Sequence, residues 1–549
     1  MKKAVFILGF LVIVVSCKKK EAPVEFTTYD ETSELAIQNK HEIDRMKFKL
    51  IQSKYLDMNE VFKSFDEDLA YFSEQDYENL KPYIIEKDIP SLQTSVKNGI
   101  LSYEKIVLFY LYRIRKFESN HNLSLHSIIA LNPSIIKEAK EKDKNKPDSL
   151  INTLYGLPIL LKDNINTKEM PTTAGAFALK DNKNTDDAFI VKQLKKSGAL
   201  ILGKANLSEW AYYFCEGCPL GYSAIGGQTL NPYGRKIFET GGSSSGSAVS
   251  VAANFAVAAV GSETSGSILS PSSKNSVVGL KPTVGLLSRI GMVPISSTLD
   301  TPGPITKSII DNAIFLTAMI GEDVEDIATK KKNENINYFE NLTNSSIKGK
   351  RFGVIKQLLK DSIYSISIEK IKTAGGEIIE YDPPQITLDG FLTLLNIDMK
   401  HDLPEYLKNY ADKNISITSI KDIIDLNIQD SVKRSPYGQE LFEGIVKDST
   451  TVADFEEIKL KLNNSGIEFF KTPMDTYNLD AILSINNYHA GYAAVAKYPC
   501  LSVPMGYENS GEPISLTFIA KPFEEEKLLK LGYAFEQLTN VRKIPKDYN

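Results

Sequence analysis

A stretch rich in serine and glycine contains the residues of this sequence whose types and spacing could do chemistry. Residues 239–268 read ETGGSSSGSAVSVAANFAVAAVGSETSGSI. Their middle part is small and apolar, which suits burial and argues against a solvated linker. Gly241 and Gly246 have the spacing of a phosphate-binding loop, but Ser247-Ala248 stand where that loop requires Lys-Ser/Thr. Serine chemistry, in which a base activates a hydroxyl group as a nucleophile, is therefore the better hypothesis.

The same stretch contains a match to the nucleophile elbow of histidine-dependent serine hydrolases. Residues 242–246 satisfy G-x-S-x-G with Ser244 at the centre. An acid and a histidine should follow, and His401 and His489 do follow, but neither lies in a recognisable turn. The elbow remains an alternative that leaves the second Ser/Gly cluster unexplained.

The lengths of the elements between the two serine clusters predict that both clusters share one site. Residues 247–254 suit a buried helix, and residues 255–260 suit a strand that returns. A helix of about 8 to 10 residues rises roughly 12 to 15 Å, and a strand of about 5 or 6 residues covers about 17 to 20 Å. We therefore expect Ser243 and Ser267 to finish near the same end of a sheet.

Two serines need a base, and the candidate is Lys162 at the end of the apolar run GLPILLKDN. A lysine can accept a proton when burial disfavours its ammonium form. A lysine after a strand is ordinarily a solvated surface residue. The hydrophobic run before Lys162 and the polar pair Asp163-Asn164 after it favour a catalytic role.

Alternating helix and strand signals predict the α/β class, with a sheet covered by helices on both faces. Ser102 is a cap for a helix over 103–117, whose apolar residues recur with helical spacing. A helix before Gly198 is followed by a strand over 199–202.

Composition divides the chain into segments. Residues 17–87 are predicted to form a tether and an N-terminal helical layer, and residues 88–549 the main domain. Within it, residues 320–470 are rich in Lys, Glu, Asn and Ile, and we expect a variable helical region that forms a wall of the substrate pocket. Strand-like sequence returns after residue 478, so the chain is expected to leave one sheet and return to it.

The N-terminus predicts export and lipid anchoring. MKKAVFILGFLVIVVSC has a basic start and an apolar run too short to span a bilayer, as in a signal peptide. Residues 14–17 resemble the lipobox of bacterial lipoproteins, which implies a signal peptide over 1–16 and acyl chains such as palmitate on Cys17. The expected product is an exported, membrane-anchored lipoprotein of the cell envelope. An ordinary signal peptide cut elsewhere is the alternative.

Composition argues against several classes of partner. The chain has 549 residues, a formal net charge of −5 and scattered histidines. No basic field points to nucleic acid, and no Cys/His spacing points to a metal. Cys215 and Cys218 are predicted to form a local disulfide or to remain two free thiols, and Cys500 to be a small core residue.

Several motifs together resemble the amidase signature family of serine hydrolases, and among its members the bacterial peptide amidases. The resemblance covers most of the chain from about residue 88 onward and implies that family's fold, a central mixed twisted sheet between helical layers. Stretches of the peptide amidase type are KANLSEWA at 204–211 and ISSTLDTPGP at 295–304. The family motifs are GLPILLKDNINT at 156–167, GGQTLNPYG at 226–234, TGGSSSGSA at 240–248, ETSGSILSPSS at 263–273 and VGLKPTVGLLSR at 278–289.

The resemblance implies a Ser-Ser-Lys triad that cleaves linear amides through an acyl-enzyme and needs no cofactor. Lys162 would be the base, Ser267 the nucleophile, and Ser243 the bridging serine after a cis peptide bond from Gly242, with Ser244 in a supporting place. The oxyanion would face the backbone N–H groups of Thr264, Ser265, Gly266 and Ser267.

This sequence departs from the family pattern at three positions of the second serine cluster. Glu263 stands where family members commonly have Asp, although Glu also occurs among the peptide amidases. Ser265 stands where those amidases usually have Asp or Gly, and Leu269 where many members have Arg. We expect these positions to change side-chain contacts that tune the pocket while the backbone donors are kept.

Two other functions are compatible with the resemblance. One is that of a glutamine-hydrolysing amidotransferase A-type subunit. That role is cytosolic and conflicts with the predicted export signal. The other is a non-catalytic surface binding protein on a decayed amidase fold, against which the joint retention of Lys162, Ser243 and Ser267 argues.

Overall fold

The structure is a computed structural model that describes residues 24–329 and 336–549. The predicted signal peptide over 1–16 and the predicted lipidation site Cys17 lie outside the described residues. In the part of the chain that is described, no helix is long and apolar enough to cross a membrane.

A mixed sheet of eleven strands is the centre of the described chain, with the strand order β1-β3-β2-β6-β8-β7-β12-β13-β11-β9-β10. Strand β2 is parallel to both β3 and β6, and β8 is antiparallel to β6. The carboxyl ends of β2, β3 and β6 therefore lie beside the start of β8. We call this end of the strands the site edge of the sheet. The strands are β1 Ile128–Leu131, β2 Pro158–Lys162, β3 Leu200–Ala205, β4 Tyr222–Ser223, β5 Gly227–Gln228, β6 Ala258–Glu263, β7 Val278–Lys281, β8 Thr301–Thr306, β9 Arg351–Ile355, β10 Glu377–Tyr381, β11 Ala481–Ile485, β12 Cys500–Tyr507 and β13 Pro513–Ile519.

Helices flank this sheet, as the α/β prediction required. The N-terminal helices join the main hydrophobic core, since Phe62 of α2 and Tyr77 of α4 belong to the same buried cluster as Ile159 of β2. The helices are α1 Thr32–Gln38, α2 Met58–Phe62, α3 Asp66–Leu69, α4 Glu74–Ile84, α5 Ile89–Lys97, α6 Tyr103–Glu118, α7 Ile135–Lys144, α8 Phe189–Lys196, α9 Ser245–Ala252, α10 Leu269–Lys274, α11 Ile309–Met319, α12 Ser362–Thr373, α13 Phe391–Asn409, α14 Ile420–Ile428, α15 Ser431–Arg434, α16 Glu440–Lys447, α17 Val452–Thr476, α18 Ala490–Ala496 and α19 Glu525–Thr539.

Local sequence signals set the elements that lead to the site. The Ser102 hydroxyl accepts the N–H of Lys105 and caps α6, as predicted. Helix α8 stops before Gly198, which has a φ of 86°, and β3 follows. The apolar run before Lys162 is β2, buried along its whole length.

The segment between the two serine clusters forms the predicted helix and returning strand, with shifted boundaries. Helix α9 begins two residues earlier than expected, and β6 spans 258–263 rather than 255–260. Both elements are fully buried, because their small apolar side chains pack between sheet and helices. The later end of β6 brings the chain to the site edge at Glu263, four residues before Ser267.

The prediction for residues 320–470 needs correction. The region contains helices, but it also supplies β9 and β10, which form the outer end of the same sheet. The pattern was missed because β9 is a short run, RFGVI, and β10, EIIEY, is largely solvent-accessible on an edge. The long helical segment outside the sheet therefore begins only after β10, which ends at residue 381, and it ends where β11 begins at residue 481.

Candidate active site

Lys162 is the last residue of β2 and is completely buried at the site edge of the sheet. Its Nζ lies 2.7 Å from Oγ of Ser243, 3.0 Å from Oγ of Ser262 and 3.1 Å from the Ser262 carbonyl oxygen. Burial lowers the pKa of Lys162 to about 7, although the carboxylates of Asp300 and Glu263 act in the opposite direction. Near pH 7 the amine is therefore neutral in a large fraction of molecules and can accept a proton.

Ser243 follows a cis peptide bond from Gly242, as the family resemblance predicted. The residue lies just before α9 and is completely buried. Its carbonyl oxygen accepts the N–H of Ser208 at 3.0 Å, and its hydroxyl accepts the Lys162 amine. Both contacts fix the Ser243 hydroxyl next to the candidate base.

Ser267 lies in the turn between β6 and α10, and its carbonyl oxygen accepts the N–H of Ser244 at 3.1 Å. This contact confirms that the two serine clusters converge. Ser267 is 8% exposed, whereas Lys162 and Ser243 are at 0%, so solvent reaches only Ser267. Among the described residues no hydrogen bond joins the Ser267 hydroxyl to Ser243, so the structure shows the Lys162–Ser243 contact without the second contact of a relay.

Ser244, the centre of the elbow motif, is not paired with a histidine. Its hydroxyl donates to the Ser262 carbonyl at 3.0 Å and accepts the Ser262 N–H at 3.2 Å, so it ties α9 to the end of β6. The side chain that hydrogen-bonds to His489 is Ser484, with Nδ1 2.6 Å from its Oγ, and burial lowers the pKa of His489 to about 4. His401 lies on α13. The geometry therefore gives no support to the elbow alternative.

Glu263 occupies the inside of the nucleophile turn, residues 264–267. Its Oε1 accepts the N–H of Gly266 at 2.7 Å, and its Oε2 accepts those of Ile268 at 2.7 Å and Leu269 at 3.0 Å. The expectation that Gly266 contributes an N–H to the oxyanion hole needs correction, because that N–H is already taken by Glu263. Gly266 has a φ of 88°, which lets the turn fold back over this carboxylate.

The other predicted oxyanion donors are not occupied in the same way. Within residues 24–329 and 336–549, the N–H groups of Thr264, Ser265 and Ser267 donate no hydrogen bond. Thr264 and Ser267 are buried, and Ser265 is half-buried. These N–H groups are free to meet a negatively charged oxygen beside Ser267.

Sequence reasoning missed a buried ion pair beside the site. Lys204 of β3 and Asp163 after β2 are both completely buried, and Nζ lies 3.1 Å from Oδ1. Lys204 also donates to the Ile165 carbonyl at 2.6 Å and to the Thr172 hydroxyl at 2.9 Å. These contacts hold the loop after β2 and so fix the strand end that carries Lys162. The available signal was a second lysine after an apolar strand, ALILGK.

The cysteines and metal-type ligands are separate from this chemistry. Cys215 and Cys218 are joined by a disulfide, the first of the two alternatives that the spacing allowed. Cys500 is a buried core residue as predicted, and burial raises the pKa of its thiol to about 12. In the described chain, no group of three or more His, Cys, Asp or Glu side chains could hold a metal ion.

Known proteins share this sequence pattern. The family model described as Amidase matches residues 105–484. A probable amidase of Arabidopsis thaliana is 37% identical over 484 residues, which cover 84% of this chain and 92% of that relative. The A-type subunit of the glutamyl-tRNA(Gln) amidotransferase from Thermoanaerobacter pseudethanolicus is 32% identical over 502 residues, with 83% and 97% covered.

Solved structures share the fold. An amidase family protein from Bacillus anthracis is similar with a TM-score of 0.85 and 38% identity, covering 90% of this chain and 99% of that structure. The native peptide amidase from Stenotrophomonas maltophilia is similar with a TM-score of 0.79 and 36% identity, covering 84% and 99%. The chain therefore belongs to the amidase signature family and is an amide-hydrolysing enzyme.

Proposed function

We propose that this protein is a lipid-anchored serine amidohydrolase that cleaves linear amides through Lys162, Ser243 and Ser267. The observation that carries the proposal is the contact between Lys162 Nζ and Ser243 Oγ at 2.7 Å. In this contact a buried amine with a pKa of about 7 lies against Ser243, and the next residue, Ser244, donates its N–H to the carbonyl of the partly exposed Ser267. A neutral amine in this position is a general base that needs no histidine.

The proposed reaction is an acyl transfer in two halves. Neutral Lys162 takes the Ser243 proton as Ser243 takes the Ser267 proton, and Oγ of Ser267 attacks the amide carbonyl carbon. The negative oxygen meets the free N–H groups among Thr264, Ser265 and Ser267. The proton then returns through Ser243 to the leaving nitrogen, which departs as an amine or as ammonia. Water, deprotonated along the same path, hydrolyses the resulting ester and restores Ser267.

Peptide C-terminal amides and other acyl or aryl amides are the proposed substrates. The support is the 36% identity to the Stenotrophomonas peptide amidase over 84% of this chain. Glutamine hydrolysis for an amidotransferase is the second candidate, favoured by the 32% identity to the Thermoanaerobacter amidotransferase protein. The higher identity to amidases and the sequence expectation of export support the first.

The experiment uses protein lacking residues 1–17 and a panel of primary amides that includes peptide amides, aryl amides and L-glutamine. We expect release of ammonia from peptide or aryl amides and a loss of at least about 1,000-fold in Ser267→Ala. Turnover of glutamine alone would favour the amidotransferase role. Equal activity in wild type and Ser267→Ala would refute the triad, and no turnover by wild type would favour a binding protein.

Lipid anchoring of Cys17 is a separate part of the proposal, supported by the resemblance of residues 14–17 to a lipobox. The full chain is expressed in a bacterial host and fractionated. We expect wild type in the membrane fraction and Cys17→Ser outside it. Equal membrane partition of both proteins would contradict the anchor without affecting the amidase proposal.

A further inference from the structure

A hydrogen bond outside the proposed triad holds the first residue of the nucleophile turn. The Thr264 hydroxyl donates to Oδ1 of Asp300 at 2.5 Å. Both side chains are buried, with exposures of 7% and 8%. Thr264 is three residues before Ser267, so this bond acts on the backbone that presents the nucleophile.

Asp300 is itself held rigidly. Its Oδ2 accepts the N–H groups of Ile295 at 2.9 Å and Ser296 at 3.0 Å. It directly precedes β8, and β8 pairs with β6 through Glu263 and Thr301. The Thr264–Asp300 bond therefore continues the β6–β8 pairing one position beyond the last backbone pair.

The nucleophile turn thus lies between two carboxylates. Glu263 accepts the N–H of Gly266, and Asp300 accepts the hydroxyl of Thr264 at the other end of the turn. In the described part of the chain, neither carboxylate accepts the N–H groups of Thr264, Ser265 or Ser267. Two anchoring hydrogen bonds hold the backbone of the turn and so set the direction of its free N–H groups. Donors that are already in place need no reorganisation during the reaction.

We propose that Thr264 and Asp300 are positioning residues, and that the bond between them fixes the oxyanion-binding N–H groups of the nucleophile turn. This inference rests on the proposed function, since it assigns a task within the same site. A purely structural role for a buried threonine would stabilise the fold but would leave the rate per active molecule unchanged.

The two residues differ in their predicted effect on pH dependence. The charged groups that act on Lys162 are Asp300, before β8, and Glu263, at the end of β6. The Asp300 carboxylate raises the pKa of Lys162 against the lowering by burial. Asp300→Asn removes that charge and should move the acidic limb of the rate profile to lower pH. Thr264→Val keeps the charge and should leave the limb in place.

The test compares Thr264→Val, Thr264→Ser and a matched control. Valine has the shape of threonine but no hydroxyl, and serine keeps the hydroxyl. Thr301→Val is the control, because Thr301 is a buried threonine next to Asp300 whose hydroxyl donates to its neighbour, the Pro302 carbonyl, at 3.1 Å. Active sites are titrated with a serine-reactive fluorophosphonate, so that kcat is expressed per functional molecule.

For Thr264→Val we expect kcat per titrated site to fall about 10- to 100-fold with KM changed less than about twofold, because misplacement acts on the transition state. Thr264→Ser should restore most of the rate, and Thr301→Val should match wild type. A wild-type kcat per titrated site in Thr264→Val would overturn the inference, whatever its thermal stability. If wild type and Ser267→Ala are equally active, the proposed function fails instead.

Discussion

Lys162 and Lys204 have the same residue type and the same burial, yet they have different partners. Both lie at the carboxyl ends of neighbouring parallel strands and are completely inaccessible to solvent. Because Lys204 pairs in register with Leu161, the two lysines lie on opposite faces of the sheet. Lys162 contacts hydroxyl and carbonyl oxygens, whereas Lys204 forms an ion pair with Asp163 at 3.1 Å.

The difference separates a candidate base from a structural cation. Burial lowers the pKa of both amines, and carboxylates act against that lowering at both: Asp163 in direct contact at Lys204, and Asp300 and Glu263 without an ion-pair contact at Lys162. A lysine in direct contact with a carboxylate keeps its proton more readily, and a lysine whose direct contacts are neutral oxygens releases it more readily. Burial alone therefore does not make a catalytic lysine, and the contacting groups decide its role.

The largest expected effect is on activity and comes from Lys162→Met. Removing the base should lower kcat/KM by about 1,000-fold or more. The apolar side chain should leave the free energy of unfolding unchanged or higher, because a buried amine without an ion-pair partner is costly. Steady-state kinetics and chemical denaturation of the same preparation check both expectations, and a variant retaining a tenth of the activity would exclude Lys162 as the base.

The next effect is on stability and comes from Lys204→Met. This change leaves the Asp163 carboxylate buried without its partner, which should cost about 3–5 kcal/mol of unfolding free energy. The double variant Lys204→Met with Asp163→Asn should recover part of that loss, because no charge is then left buried. Denaturant unfolding of wild type, Lys204→Met, Asp163→Asn and the double variant measures the coupling, and additive losses would contradict an ion pair.

A smaller effect is the pH dependence of kcat/KM. Below about pH 7 Lys162 becomes protonated and cannot accept the Ser243 proton, so the rate should fall with decreasing pH. The limiting slope is about tenfold per pH unit for one essential group. A rate profile that stays flat across this range would show that no group with the pKa of Lys162 controls the reaction.

Much of the fold could be predicted because its signals are local. The apolar run ending in Lys162 and the cap at Ser102 each specify an element without tertiary information. Strands β9 and β10 were missed because both are short and carry little periodic signal, β10 lies at the sheet edge, and β9 pairs with β11, which is distant in the chain.

The site was predictable in residue identity and less so in contacts. The runs LPILLK and ALILGK both place a lysine after an apolar strand, so sequence alone does not tell which lysine faces Asp163. Likewise, Glu263 was expected to matter only as a departure from Asp, yet it takes the N–H of Gly266. Such contacts depend on three-dimensional direction, which spacing along the chain does not encode.

The central claim is that Ser267 is the nucleophile and that Lys162 activates it through Ser243. The most direct measurement is peptide mapping by mass spectrometry after reaction with a fluorophosphonate probe, for wild type and Lys162→Met. We expect one adduct, on Ser267, and a strongly reduced labelling rate in the variant. An adduct on Ser244, or unchanged labelling without Lys162, would contradict the account.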